Sequence, residues 1–471
     1  MYKAIDKWLP GYLRALMRRP RTTGGVRDLL FCTADHFEPC GHRIAPDGTI
    51  TPGRSPAAAA AHTRRWLEQH RAATGGFADS SGNCPRHTVF YAAEEYVPEC
   101  VDLLAEAAAR GELEIEVHLH HRNDTANGLR EKLRAFAEVR LPRYAKATQG
   151  RQGGKVARLQ GGKVAAGQVS GVRSQESGVG SPRFAFRATQ GKRESSPQIP
   201  GLRSNPLPPF AFLHGNWALC NSRPDGDWCG VDNELSVLAE CGCYADFTFP
   251  SAPSPTQPRM VNSIYRPRRD GRRAADHGTP VVAGSGPPAP DALPIIIQGP
   301  LALGLRPACR LVAAEFNGNE DGSSQSEGGS AACRGEAPEG RRRVCSLRSS
   351  LTLDAALIAP SNPPSARRVD RWVRAGVHVT GRPEWTFVKI HTHGCDERMM
   401  TDTFITATRA MHEHLSGAYN DGVKWRLHYV TAREMYNIIR AAEDGHAGNP
   451  NEYRDYEITL RNAGEGSKVA R

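Results

Sequence analysis

Strand-like and helix-like patterns alternate along this chain, and this alternation is the feature that most limits the folds it can adopt. The stretch EIEVHLH (114–120) alternates apolar and polar residues, as half-buried strands do, and it lies between helical patterns at 97–110 and 125–140. Further strands are predicted at 28–34, 210–214, 244–249, 294–298, 385–391 and 425–430, and further helices at 233–241, 366–375 and 401–417. Repeated units of this size predict an α/β fold built on a parallel sheet.

Local signals predict where several helices begin. Asp232 is placed to cap the helix at 233–241, because its carboxylate can accept a hydrogen bond from the first turn. Thr431 and Glu434 have the spacing of a capping box, which predicts the start of a last helix. The basic and aromatic residues 1–21 are interpreted as a first helix that packs on the domain.

Two stretches differ from their surroundings in composition. Residues 146–207 contain QGGKVA twice and eleven Gly, and their eleven Lys or Arg against two Glu account for +9 of the chain's net charge of +11. Residues 307–359 contain GNEDGSSQSEGGS. Because such compositions bury too little apolar surface to offset chain entropy, both stretches are interpreted as disordered insertions. A basic RNA-binding or regulatory arm is the alternative for 146–207, but apart from Phe184 and Phe186 no aromatic residues are interleaved with its charges as a stacking surface requires.

The overall composition excludes several classes of protein. No run of about 18 apolar residues occurs, so no membrane span is expected. The twelve cysteines are scattered without paired CxxC motifs, which argues against a zinc ribbon and favours free thiols in a reducing compartment. Residues 1–21 lack the apolar core of a secretion signal, so a cytoplasmic location is expected. Since the charge is concentrated in one segment, no specific nucleic-acid partner is expected for the folded body.

Metal-capable side chains stand where the predicted strands end. In chain order they are Asp35, His36, His118, His120, His214, His391 and His393. If the strands form a parallel barrel, all their carboxyl ends lie on one face, where active sites are built. Imidazole and carboxylate groups together suit Zn²⁺ or another first-row divalent ion. The sequence therefore predicts a metal site at this face, with a purely structural role for these residues as the alternative.

Alternation along the strand at 114–120 separates its histidines. His118 and His120 share one face with Glu116, whereas His121 lies beyond the strand and points elsewhere. Asp124 comes just before the helix at 125–140, and capping is the favoured interpretation of this residue over metal ligation.

These motifs resemble those of the NodB-type polysaccharide deacetylases. FCTADHFEP is similar to the first motif of that family, EIEVHLHHRND to the second, and FLHGNWALCNSRPDG with the following NELSVLAECGCYADFTF to the third. FVKIHTHG is similar to the late motif that carries the general acid. The resemblance covers three parts of one barrel, at 1–145, 208–306 and 360–463, and excludes both insertions and a disordered tail at 464–471.

The resemblance implies a distorted (β/α) barrel and a hydrolase that removes acetyl from an N-acetylated sugar or polysaccharide precursor, with a divalent ion, Zn²⁺ being favoured. Asp35 falls at the position of the catalytic base, and it is also a candidate ligand. His391 falls at the position of the general acid. His36 stands where the family has a metal-binding aspartate, so His36, His118 and His120 would form the metal site.

Further site residues follow from how the chain departs from the family pattern. The residues four positions after His118 and His120 are Arg122 and Asp124, where the family has its second histidine. HGNWA replaces the family's RPPYG, which leaves Arg223 as a candidate for the arginine that orients the base. The remaining candidates are the additional ligands Asp124, His214 and His393 and the sugar-binding residues Asn216 and Trp217, with Trp228 as a further flat ring.

Two other functions remain open at this point. The His-x-His pairs at 118–120 and 391–393 also suit amidohydrolase or phosphoesterase barrels, which bind two or three ions. A degenerate deacetylase barrel could instead bind glycan without cleaving it, or act as a scaffold in polysaccharide assembly.

Overall fold

The helices and strands of the computed structural model lie within residues 4–19, 24–44, 50–149, 207–250, 254–306 and 350–459, which are the residues it describes. The helices are α1 (Ile5–Met17), α2 (Pro56–Thr74), α3 (Pro98–Ala109), α4 (Ala126–Gln149), α5 (Glu234–Glu240), α6 (Ala366–Ala375), α7 (Asp402–Tyr419) and α8 (Ala432–Glu443). The strands are β1 (Arg27–Phe37), β2 (Arg43–Ile44), β3 (Ile50–Thr51), β4 (His87–Ala92), β5 (Leu113–Leu119), β6 (Phe210–His214), β7 (Cys243–Asp246), β8 (Ile264–Pro267), β9 (Gly278–Pro280), β10 (Ile295–Ile297), β11 (Ala302–Arg306), β12 (Ser350–Asp354), β13 (Trp385–Thr392) and β14 (Trp425–Tyr429).

Ten of the described strands form one sheet, in the order β13-β1-β4-β5-β6-β7-β10-β8-β9, with β14 also paired to β1. Neighbours from β13 to β10 are parallel, and β14 is parallel to β1. Only β8 and β9, at the far edge, pair in the antiparallel sense within this sheet. The predicted α/β fold around a mainly parallel sheet is therefore confirmed.

Strand β1 is longer than the sequence predicts, and its length matters for the site. The predicted strand ends at residue 34, whereas β1 continues to Phe37. One edge of β1 pairs with β13 through Asp35, and the other edge is shared by β14 and then β4. Because β4 pairs with Thr33–Phe37, the backbone beyond residue 34 has a partner and stays extended. Asp35 and His36 thus lie on the strand, where neighbouring side chains point to opposite faces.

The other predicted elements are close to the observed ones, and two large elements were missed. Helix α6 has the predicted bounds, and the capping box of Thr431 and Glu434 at α8 is confirmed. The prediction that Asp232 caps α5 is wrong, because no side chain caps that helix and the Asp232 carboxylate instead accepts a hydrogen bond from Asn221. The missed elements are α2 and β4; β4 is nearly all buried and so lacks alternation.

Apolar cores occupy both faces of the sheet. On one face, Leu30, Cys32 and Ala34 of β1 pack in a core that also contains residues of β13 and α8. On the other face, Phe37 of β1 and the apolar residues of β5 pack against α2, α3 and α4. The period-two alternation of each strand therefore decides which of two environments each side chain enters.

The predicted insertions fall mostly outside the described residues, which leave out 150–206 and 307–349. The predicted tail at 464–471 also lies outside them. Residues 350–359 are described, and they include β12, which pairs with β11 as an antiparallel hairpin. The strands on either side of 307–349 thus pair with each other, an arrangement that accommodates an insertion without interrupting the main sheet.

Helix α1 packs on the body of the protein, as expected. Trp8 and Tyr12 are buried in a small core with Val261 and Leu301, and the Lys7 ammonium donates a hydrogen bond to the Pro255 carbonyl. Within the described ranges, none of the helices combines the length and the apolar character needed to cross a membrane.

Candidate metal centre

Four histidines surround one glutamate at the carboxyl ends of β1, β5 and β13. We call this group the Glu38 cluster; its members are His36, Glu38, His118, His120 and His393. Glu38 Oε1 lies 3.4 Å from His118 Nε2, 3.8 Å from His120 Nε2 and 3.8 Å from His393 Nδ1. The His36 ring lies 4.9 Å from the His118 ring and 4.6 Å from the His393 ring, measured between centroids.

Alternation along the strands explains this convergence. His36 is two residues after Ala34, and it therefore points to the same face of the sheet as Ala34. On β5, Val117 and Leu119 point into the core beside α3, which turns His118 to the face that His36 occupies. The predicted pairing of His118 and His120 is seen, with their ring centroids 4.5 Å apart.

The Glu38 cluster is open to solvent on one side. The His118 side chain is fully buried, whereas the side chains of Glu38 and His393 are 30% and 46% exposed. Burial alone would raise the pKa of the Glu38 carboxyl, but His118 and His393 outweigh burial and hold this pKa well below its ordinary value. Burial and the neighbouring imidazoles lower the pKa of His36 well below its ordinary value. At neutral pH the cluster therefore contains a carboxylate and a neutral imidazole, the forms that bind metal ions.

The contacts of His118 are those of a ring that could hold a cation. His118 Nδ1 lies 2.8 Å from the Leu213 carbonyl oxygen, which can only accept, so Nδ1 carries a proton. In a neutral His118 ring the lone pair would then be on Nε2, which is buried without a hydrogen-bond partner and faces the Glu38 carboxylate. Two acceptors that face each other need a proton or a cation between them. Imidazole and carboxylate donors together suit a first-row divalent ion.

A second carboxylate orients His120. Glu94 Oε1 accepts hydrogen bonds from His120 Nδ1, at 2.6 Å, and from the His120 backbone N–H, at 3.1 Å. Burial would lower the pKa of His120, but Glu94 and Glu38 outweigh it and raise this pKa to about 9. A carboxylate that holds one ring nitrogen and leaves the other facing the centre is the usual support of a metal-binding histidine.

His391, predicted as the general acid, lies beside the Glu38 cluster. Its ring centroid is 6.1 Å from that of His36 and 6.2 Å from the Trp217 ring, which meets it edge to face. His391 Nε2 is buried and has no hydrogen-bond partner. Burial, together with Lys389, lowers the pKa of His391 well below its ordinary value, so the ring is neutral at neutral pH.

Asp35, predicted as the base and as a ligand, lies apart from these histidines. Its side chain is fully buried and accepts hydrogen bonds from the Gly394 backbone N–H, at 2.6 Å, and from His87 Nδ1, at 3.1 Å. Because Asp35 and His36 are neighbours on β1, their side chains point to opposite faces. Asp35 belongs to none of the metal-capable groups found among the described residues. Its place in the fold is to hold Gly394, directly after His393.

A second metal-capable group lies on the other face of the sheet. We call it the closed cluster; its members are His121, His214, Cys229 and Glu234, all buried. Glu234 Oε1 lies 3.1 Å from His121 Nε2 and 3.5 Å from His214 Nε2. His214, an additional candidate ligand, thus belongs here and not with the Glu38 cluster. It points away because β6 turns Phe210, Phe212 and His214 to the face that packs against the helices.

The remaining predicted residues have other surroundings. Asp124 Oδ2 accepts from Lys132 Nζ at 2.7 Å and lies 3.3 Å from His121 Nδ1, and these two groups lower its pKa to about 2 in spite of burial. Thr125, and not Asp124, supplies the side-chain oxygen to the first turn of α4. Arg223 pairs with the exposed Asp225, at 3.0 and 2.6 Å. Asn216 is exposed beside Trp217.

Five site residues were not predicted from the sequence: Glu38, Glu94, His121, Cys229 and Glu234. Glu38 carried a usable signal, because it follows His36 by two residues in DHFEP, the spacing that keeps side chains on one face of an extended chain. The others lie in irregular segments, in a short 3₁₀ helix or at the start of α5, where spacing does not predict that the side chains converge. No family model, curated protein or solved structure matches this chain.

Proposed function

We propose that the chain is a divalent-metal-dependent hydrolase with its catalytic centre at the Glu38 cluster. The observation that carries this proposal is one partly exposed carboxylate within 3.8 Å of three imidazoles, at the carboxyl ends of parallel strands. His36, Glu38, His118 and His393 would hold the ion, with His120 as a further ligand. A divalent ion in such a site lowers the pKa of a bound water toward about 7 and polarises a substrate carbonyl.

The proposed fold is the distorted (β/α) barrel of the polysaccharide deacetylase type. Two contacts between distant strands of the sheet support it. Lys389 on β13 donates hydrogen bonds to the carbonyls of Phe247 and Phe249, just past the end of β7. Val282, beyond β9, forms an isolated parallel bridge with Thr380, before β13. Both contacts join segments far apart in the sheet path, and the second brings its two ends toward each other, as closure requires.

The proposed reaction is removal of acetyl from an N-acetylated sugar, as the sequence resemblance implies. We assign the proton transfers to His391, because it is neutral, buried and next to the cluster. His391 would take a proton from the attacking water and return it to the leaving amine. The Trp217 ring, in contact with His391, offers a flat surface for the sugar. Asp35 serves as a positioning residue for the loop that carries His393.

A two-ion phosphoesterase is the second candidate, and one specific observation favours it. The cluster consists of two metal-capable groups, one of His36, Glu38 and His393 and one of Glu38, His118 and His120. Glu38 is common to both groups, and a shared carboxylate is suited to bridging two ions. Paired ions stabilise the attacking and leaving oxygens in phosphoryl transfer.

Metal content and two substrates test the proposal. Bound divalent metal is measured for the purified full chain, for Glu38→Gln and for a control, Glu397→Gln, whose side chain is 65% exposed. The loss of ions between wild type and Glu38→Gln counts those held by the Glu38 cluster. One ion, with acetate released from N-acetylglucosamine oligomers, supports the deacetylase; two ions, with cleavage of bis-p-nitrophenyl phosphate, support the phosphoesterase.

A variant that loses the Glu38 cluster but keeps the fold tests whether the cluster holds the metal that a catalytic role requires. The His118→Ala/His120→Ala double variant removes two ligands from β5 and its end, and circular dichroism checks that it remains folded. A folded wild-type chain in which the Glu38 cluster holds no metal would overturn the hydrolase and leave a glycan-binding or scaffold protein.

A further inference from the structure

We propose that the closed cluster is a structural zinc site, separate from the Glu38 cluster and independent of the hydrolase proposed above. Its ligands would be His121, His214, Cys229 and Glu234. One ligand atom from each residue lies within 4.8 Å of all the others, and all four residues are buried. Four protein ligands with no opening to solvent are typical of structural zinc sites, whereas catalytic sites keep one position open.

His214 presents an unshared electron pair to the centre of the cluster. Its Nδ1 lies 2.5 Å from the Gly215 carbonyl oxygen, which can only accept, so Nδ1 carries the proton. His214 Nε2 is buried, lacks a hydrogen-bond partner and lies 3.5 Å from Glu234 Oε1. A neutral nitrogen that faces a carboxylate in the interior is unfavourable unless a cation lies between them.

Cys229 completes the set with a thiol. Its Sγ lies 3.3 Å from Glu234 Oε2 and receives a hydrogen bond from the Val231 backbone N–H at 3.4 Å. A donated N–H stabilises negative charge on sulfur, which a coordinated thiolate carries. Two imidazoles, one thiolate and one carboxylate are ligands that zinc accepts, and the thiolate disfavours Mg²⁺ and Ca²⁺.

The position of the cluster indicates what the ion would stabilise. The segment from His214 to Cys229 joins two proposed ligands, and it contains five non-glycine residues with positive φ: Asn216, Trp217, Cys220, Asn221 and Trp228. Such conformations persist only where the surroundings hold them. Ligands at both ends of the segment would hold it, and with it the Trp217 ring that contacts His391.

Cobalt spectroscopy tests this site without reference to activity. The full chain is stripped with a chelator and reloaded with Co²⁺, and the thiolate-to-cobalt charge-transfer band in the near ultraviolet is recorded. The Glu38 cluster contains no cysteine, so a thiolate band reports only a cysteine-containing site. We expect the band in wild type and in Glu38→Gln, its loss in Cys229→Ser, and its displacement by Zn²⁺.

A matched cysteine variant and the ion count complete the test. Cys241→Ser changes another buried cysteine, near the end of α5 and outside the cluster, and it should keep the band. Cys229→Ser should bind one fewer ion than wild type. A folded wild-type chain without the band, or a band that survives in Cys229→Ser, would overturn the proposal and leave His121 as a protonated partner of Glu234. Because absence of the band in the folded wild-type chain is enough to overturn the proposal, misfolding of a variant does not decide the outcome.

Discussion

The two clusters are neighbours in the sequence but differ in solvent access. His120 belongs to the Glu38 cluster and His121 to the closed cluster, and they lie on opposite faces because β5 ends between two apolar layers. The Glu38 cluster has side chains up to 46% exposed, whereas every member of the closed cluster is buried. Access to solvent, and not the number of histidines, therefore separates the proposed catalytic site from the proposed structural one.

The largest effect is expected at His391, whose loss should abolish proton transfer without removing the ion. His391→Asn should reduce kcat by about 10²–10⁴-fold, because positioned proton transfer contributes that much. Metal content at the Glu38 cluster should be unchanged. His414→Asn, on α7 and paired with Asp370, is the control. Equal loss of metal and kcat in His391→Asn would make His391 a ligand, not an acid–base residue.

The second prediction concerns the stability that bound zinc gives the chain through the closed cluster. In the Glu38→Gln background the closed cluster is the metal-capable group that stays intact among the described residues. Zinc at a hundredfold excess over Kd should then stabilise the chain by about 2.7 kcal/mol, because it binds the folded state alone. The Glu38→Gln/Cys229→Ser variant should show no such gain in chemical denaturation. Equal stabilisation of both variants would show that zinc acts at a site other than the closed cluster.

The third prediction tests whether Glu94 strengthens metal binding by the Glu38 cluster. Glu94→Gln removes the charge that holds His120 Nδ1, so the affinity of the Glu38 cluster for Zn²⁺ should fall about 10–100-fold. Isothermal titration with Zn²⁺ measures this, with the exposed Glu99→Gln on α3 as the control. Unchanged affinity would show that His120 does not coordinate the ion.

The smallest effect comes from a buried histidine outside both clusters. Burial, together with the neighbouring His87 and Arg409, lowers the pKa of His412 from 6.5 to about 3, and its Nδ1 shares a hydrogen bond with the Tyr429 hydroxyl. Between these two values the unfolded chain binds a proton that the folded chain does not. Its contribution to stability is therefore constant above pH 6.5 and falls as the pH decreases, by about 2 kcal/mol at pH 5.

The variant His412→Phe keeps a ring between Phe77 and Tyr429 and removes the titrating group. Its unfolding free energy should fall less steeply than that of wild type between pH 7 and pH 5. Identical slopes in the two proteins would show that His412 is already protonated in the folded state.

Short-range sequence patterns were sufficient to predict much of the fold and part of the candidate site. Strand–helix alternation predicted the mainly parallel sheet, and Thr431 with Glu434 predicted the start of α8. The pairing of His118 with His120, and the separate direction of His121, followed from the two-residue period of a strand. These features depend on residues a few positions apart, whose relative directions the backbone geometry sets.

Only the tertiary structure decided how distant groups combine. The sequence alone determined that polar residues stand at strand ends, but not that β1 continues past residue 34 because β4 pairs with it. That pairing puts His36 on one face and Asp35 on the other. There the Asp35 carboxylate accepts a hydrogen bond from the backbone N–H of Gly394, 359 positions away. Cys229 enters its cluster from an irregular segment, and Glu234 from the first turn of α5. Local periodicity carries no information about such contacts, because they depend on where the whole chain brings each turn.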